Sequence, residues 1–270
     1  MKLEMISRLP NTDGEPTPLL FLHGAFCGAW VWDEHFLSYF AEHGFAAHAV
    51  SLRGHGKSEG YNKLPFTQLA DYVEDLTKTI EGMDKRPILI GHSMGGVVGQ
   101  LYLRDNILPG VVLMGSGPPH GMIASAMSVF LDQPILSTQL SLTHLFGSDA
   151  ESRAAMCKII FSQEKPITEA LDFLSRTQAE SFRVVFDLGF PHIPKNRGTP
   201  VLVLGAEEDR FVTPYMVRAT AKAYKAPEAE IFRNMGHAMM AETKWRDVAD
   251  RILKWIREEL PRTSSPLDGD

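Results

Sequence analysis

Six short runs of this chain are almost wholly apolar, and longer amphipathic stretches separate them. The runs are 18–22 (PLLFL), 46–52 (AAHAVSL), 87–91 (PILIG), 110–115 (GVVLMG), 200–205 (PVLVLG) and 229–233 (AEIFR). Most are continuously apolar rather than alternating, the pattern of strands buried on both faces of a parallel sheet. Between them, residues 31–43, 69–83, 95–106 and 214–224 carry apolar side chains at three- and four-residue spacing. The clearest stripe is the last, formed by Trp245, Val248, Ala249, Ile252, Trp255, Ile256 and Leu260. Thr243 is the expected cap at its start and Pro261 its stop. Strand and helix alternating in this way predict a doubly wound α/β sheet with helices on both faces.

One region breaks the rhythm. About 80 residues between Gly115 and Pro200 contain no strand pattern, and compact domains avoid structureless loops of that length. Residues 121–131, 135–145, 151–161, 167–176 and 179–188 all read as helices. The expected organisation is therefore a core of 1–116 and 197–260, a helical cap inserted at 117–196, and a flexible polar tail at 261–270. Most apolar cap residues serve to fasten it to the core. Met122, Met127 and Phe130, together with Phe26, are the candidates for lining a substrate pocket, because thioethers and rings adapt to varied ligands.

Composition narrows the function. The 27 basic and 33 acidic residues leave a formal charge of −6, without the basic field that gathers nucleic acid. Two cysteines, Cys27 and Cys157, make neither a disulfide framework nor a thiolate metal site. The apolar runs fall far short of a bilayer span, and the first residues (MKLEMISR) lack a secretory pattern. A soluble, cytoplasmic protein without stable membrane association is expected; the oligomeric state is unread.

The chemistry starts at Gly91-His92-Ser93-Met94-Gly95-Gly96, between a buried-type strand and a helix. A serine forced into that turn exposes its hydroxyl above the sheet edge, and its neighbours two residues away must be small. A bland reading is a glycine-rich connection; the strand–turn–helix setting favours a nucleophile. Such a serine needs a base, and the base an orienting carboxylate. Of ten histidines, His237 directly follows the last strand run, on the same sheet edge as Ser93. His35, His43 and His48 read as surface or packing residues beside a helix. His92 faces away from its neighbour Ser93, and His120, His144 and His192 belong to the cap. The acid belongs on the loop after 200–205, where Glu207, Glu208 and Asp209 are consecutive. Spacing to Pro214 favours Asp209, with Glu208 in reserve. The rival loop at Gly115-Ser116-Gly117 has no acid.

An acyl-transfer serine also needs N–H donors for the developing oxyanion. Met94 is one. The other comes from His23-Gly24-Ala25-Phe26-Cys27-Gly28, with Ala25 the first choice and Phe26 the second. His23 reads as a brace for this loop, and Cys27 as a packing residue.

Together, His23-Gly24, Arg53-Gly54-His55-Gly56-x-Ser58, Gly91-x-Ser93-x-Gly95-Gly96, the Asp209 loop and Gly236-His237 resemble the α/β-hydrolase superfamily in order and spacing, over nearly the whole chain. The stretch 23–32 (HGAFCGAWVW) also resembles the oxyanion loop of plant methyl esterases and hydroxynitrile lyases. Arg53–Ser58 resembles bacterial esterase and lactonase branches instead. The resemblance implies a serine hydrolase with an eight-stranded, mostly parallel core and a helical cap. Here only about 17 residues precede the first firm strand, with room for one strand near residues 3–8, so six or seven strands are expected. The expected activity is that of a carboxylic ester hydrolase (serine esterase): cleavage of a small to medium, partly apolar ester through an acyl-enzyme on Ser93, with no cofactor or metal. Lactone or carbon–carbon bond hydrolysis would use the same triad. A serine at 93 argues against alkyl-enzyme chemistry, which needs a carboxylate nucleophile. A non-catalytic ligand sensor on the same fold is the alternative of another class.

Overall fold

The structure, a computed structural model, describes residues 1–11, 14–122 and 150–260. Seven strands form one sheet: β1 (Met5–Arg8), β2 (Leu19–Leu22), β3 (Ala47–Val50), β4 (Ile88–His92), β5 (Val111–Met114), β6 (Val201–Ala206) and β7 (Glu230–Phe232). Their order is β1-β3-β2-β4-β5-β6-β7, and only β1 runs antiparallel, against β3. Every residue of β2, β4, β5 and β6 is buried, which explains their unbroken apolar runs. The two edge strands are shorter of apolar residues and partly exposed.

Nine α-helices are described: α1 (Trp30–Asp33), α2 (Phe36–Glu42), α3 (Leu69–Glu81), α4 (Met94–Tyr102), α5 (Ala150–Ile160), α6 (Ile167–Ser175), α7 (Phe182–Gly189), α8 (Pro214–Tyr224) and α9 (Trp245–Lys254). Alternation along each strand divides the core in two. Leu19, Phe21, Ile90, Val112 and Met114 pack with α1, α2 and α9. Leu20, Leu22, Leu89, Val111 and Leu113 face α3, α4 and α8. Helices α5, α6 and α7 lie in the insertion between β5 and β6.

Some local expectations are corrected. The 31–43 helix breaks into α1 and α2 at His35, whose φ of −140° leaves the helical region. Lys244, not Thr243, stands at the start of α9, and no side chain caps it. His48 lies in β3 rather than beside a helix, with Nδ1 2.7 Å from Ser7 Oγ. The stretch 135–145, most of 121–131, Met127, Phe130, His144 and the tail 261–270 lie outside the described residues. Among the described residues no helix is long and apolar enough to cross a membrane.

Parallel register brings the carboxyl ends of the central strands together. Leu22 pairs with Gly91, His92 with Met114, and Ala206 with Phe232. The loops that follow β2, β4, β5, β6 and β7 therefore leave from one edge of the sheet, the place where ligand sites form in open α/β sheets.

Candidate active site

Ser93 sits between β4 and α4 with φ 51° and ψ −118°. A left-handed φ is costly for a non-glycine residue and persists only where surrounding structure holds it. Here the glycines make it sterically feasible. A methyl group on Gly91 would come within 2.7 Å of Gly95 O, and one on Gly95 within 2.5 Å of both Leu22 O and His23 O. The turn closes only because those methyl groups are absent.

His237 and Asp209 arrive from the loops after β7 and β6. His237 Nε2 lies 2.9 Å from Ser93 Oγ, and its Nδ1 2.7 Å from Asp209 Oδ2. Because Nδ1 faces a carboxylate, it carries the proton. Nε2 is then free to accept from the Ser93 hydroxyl. Asp209 is buried, and its second oxygen accepts the backbone N–H groups of Phe211 and Val212, each at 2.8 Å. Those two bonds hold the carboxylate plane independently of the histidine. Glu208, the reserve, turns away and accepts Gln163 N–H. Gly115, with φ 51°, lies under the pair: a methyl group there would stand 3.6 Å from Asp209 Oδ2 and 3.7 Å from His237 Nδ1. The loop after β5 thus supplies a floor instead of an acid.

The loop after β2 abuts Ser93. A methyl group on Gly24 would lie 3.0 Å from Ser93 Cβ. Among the described residues, neither Ala25 N–H nor Met94 N–H has a protein acceptor, which leaves both available to a developing oxyanion. Phe26 has φ 66° and gives its carbonyl to Gln178 N–H at 2.9 Å. Burial pushes the Cys27 thiol up to about 12, with Glu180 and Glu34 adding to the effect, so the thiol stays protonated at neutral pH. Met122 packs beside Gly117 and Val97 at the edge of one core cluster, its N–H on Leu188 O.

Two further histidines lie beside these three residues. His92 Nε2 donates to His237 O at 2.9 Å. Burial first, and then the neighbouring His237, lowers its pKa well below the ordinary 6.5. A neutral His92 adds no positive charge beside the His237 ring. His23 is fully buried, accepts Leu52 N–H at Nε2 and holds Gly24 O through Nδ1. Burial, reinforced by His55, takes it down to about 3.

The Arg53–Ser58 motif joins the core to the insertion. Arg53 forms a forked pair with buried Asp75 and reaches Asp71 and Glu74 on α3. His55 Nε2 meets Glu180 Oε2 at 3.1 Å, and Tyr72 donates to Glu180 Oε1 at 2.6 Å. Gln178 bridges Gly56 N–H and Gly54 O. Glu180, Gln178 and Glu242 carry no local sequence signal for their cross-chain contacts, because His55, Gly56 and Ser162 lie 80 or more residues from them.

Residues 19–251 match the model of the Alpha/beta hydrolase family, and the chain belongs to that family. Among its relatives, a pimeloyl-[acyl-carrier protein] methyl ester esterase of Proteus mirabilis is 33% identical over 90 residues, 33% of this chain and 32% of that protein. A proline iminopeptidase of Pestalotiopsis fici is 23% identical over 235 residues, covering 79% of this chain and 81% of that protein. Among solved structures, an esterase from Exiguobacterium antarcticum superposes with a TM-score of 0.74 at 17% identity, over 94% of this chain and 95% of that one. Rv0554 from Mycobacterium tuberculosis gives 0.73 at 19%, over 94% and 93%. At such identities the structural likeness is one of fold.

Proposed function

We propose that this chain is a serine esterase acting on small to medium, partly apolar carboxylic esters. The observation that carries the reading is the hydrogen-bonded line from Asp209 Oδ2 through His237 to Ser93 Oγ, with 2.7 and 2.9 Å steps. His237 takes the hydroxyl proton as Ser93 Oγ attacks the ester carbonyl. Ala25 and Met94 N–H groups stabilise the oxyanion, and the alcohol leaves with the proton from His237. Water, activated by the same imidazole, attacks the acyl-enzyme and releases the acid. Residues 117–196 serve as the cap over this site, with Phe26 and Met122 among its apolar contacts. The methyl ester esterase relative agrees with ester cleavage. An epoxide hydrolase of Xenopus tropicalis, 24% identical over 267 residues, is also related, but alkyl-enzyme chemistry needs a carboxylate where this chain has Ser93.

The test is a panel of p-nitrophenyl esters, aryl methyl esters and acyl-homoserine lactones, with fluorophosphonate labelling at Ser93. Ser93→Ala should abolish turnover and labelling while leaving the fold intact. Undiminished turnover by Ser93→Ala overturns the mechanism, and preferred cleavage of the lactones overturns the substrate class.

A further inference from the structure

Glu242 is a buried carboxylate, 1% exposed, five residues beyond His237. Its Oε1 accepts Gly236 N–H at 2.7 Å and Ser162 N–H at 2.6 Å, and its Oε2 accepts the Ser162 hydroxyl at 3.0 Å. None of these donors is charged. A carboxylate held out of water on neutral donors is a costly way to gain stability, and well-packed apolar residues often do as well or better. What the arrangement does supply is position.

The backbone around His237 is tied down on both sides. Gly236 N–H goes to Glu242, and Ala238 N–H goes to Ile160 O at 3.1 Å. His237 O accepts His92 Nε2–H at 2.9 Å and Met239 N–H at 2.8 Å. Gly236 itself runs against the insertion, where a methyl group would meet Ile160 O at 2.6 Å. The segment Ile160–Ser162, at the end of α5, therefore touches the histidine loop twice, once directly and once through Glu242. We propose that Glu242 is a positioning residue, which locks the histidine loop to the insertion and so sets His237 against Ser93. It acts through the backbone of residue 236 and touches neither substrate nor reacting atoms. The proposal rests on the serine-esterase reading and adds to it that the insertion is part of what aligns the base.

Charge and reach separate in two conservative variants. Glu242→Gln keeps the length: its amide oxygen accepts both N–H groups, and its NH2 donates to the Ser162 hydroxyl. Glu242→Asp keeps the charge, but one methylene less leaves it unable to bridge Gly236 and Ser162. With p-nitrophenyl acetate, Glu242→Gln should hold kcat within about threefold of the parent. Glu242→Asp should lose roughly 10- to 100-fold in kcat with KM little changed, because misplacing a reacting group by a fraction of an ångström costs on that order. The rate of fluorophosphonate labelling at Ser93 should follow the same ranking, with urea midpoints measured alongside. Parental kcat in folded Glu242→Asp, or a greater loss in Glu242→Gln than in Glu242→Asp, overturns the proposal. Ser93→Ala, run in parallel, separates the two readings. If it is inactive while folded Glu242→Asp is not impaired, only the positioning role fails. If it remains active, the esterase mechanism itself fails.

Discussion

The Asp209 carboxylate has two oxygens with two separate tasks. Oδ1 is occupied by the backbone of Phe211 and Val212, and Oδ2 faces His237 Nδ1. Asn at this position keeps the first set of bonds, since its carbonyl can accept both N–H groups. Its NH2 then points at Nδ1, which must give up its proton, and Nε2 becomes a donor unable to take the Ser93 proton. Asp209→Asn should therefore fold normally and lose about 10³- to 10⁴-fold in kcat, as judged by ester turnover. Parental turnover would show that His237 does not depend on this tautomer. Ser93, His237 and Asp209 were legible as a group because each sits on the loop that directly follows a strand. His92 and Gly115 were not read as their supports. Their contacts with His237 and Asp209 join loops after different strands, and no local spacing marks such a meeting.

Helix α4 shows how one element can reverse an ordinary propensity. Replacing glycine by alanine inside a helix ordinarily gains about 1 kcal/mol. Gly95 is packed against the carbonyl oxygens of Leu22 and His23, each 2.5 Å from where its methyl group would stand. Backbone atoms of a central strand do not yield, and overpacking costs roughly 1–3 kcal/mol, so Gly95→Ala should lower the urea midpoint and reduce ester turnover. A methyl group on Gly99 in the same helix would meet only the Leu89 side chain, with Cδ2 at 3.0 Å. Gly99→Ala should shift stability by less than about 1 kcal/mol. Equal effects in the two variants would mean that the turn at Ser93 is not the tightly packed element. The elements themselves were readable from period and punctuation, and α8 spans its expected residues, 214–224. The break between α1 and α2 was not, because the apolar spacing continues across His35 while the backbone leaves the helical region.

Across the molecule, buried histidines couple the fold to pH. In the folded chain His23 titrates at about 3 and His92 well below 6.5, in both cases chiefly through burial. Unfolding restores both to the ordinary value, so the unfolded chain binds up to two more protons below pH 6.5. Stability present above that pH is lost as pH falls from 6.5 toward 3, by as much as about 1.4 kcal/mol per pH unit for each histidine. Glu180 works in the same direction at the lower end. Its burial alone would raise its pKa, but hydrogen bonds from His55, Tyr72 and Ser181 hold it below 4.5. Its contribution is present above about 4.5 and lost as pH falls through its folded value. Urea midpoints at pH 7 and pH 5 should differ accordingly, and identical midpoints would mean that these groups are not buried in solution.

The order of elements, the parallel core and the three residues that meet in one hydrogen-bonded line, Ser93, His237 and Asp209, could all be read along the chain. Strand period, turn chemistry and loop order are properties of neighbouring residues. The seating of the insertion could not be read in this way. It depends on Glu242 with Ser162, 80 residues apart, and on Glu180 with His55, 125 apart. A buried carboxylate takes its meaning from the donors that fold around it, and those donors become its neighbours only when the sheet, the loops on its rim and the inserted helices have packed together.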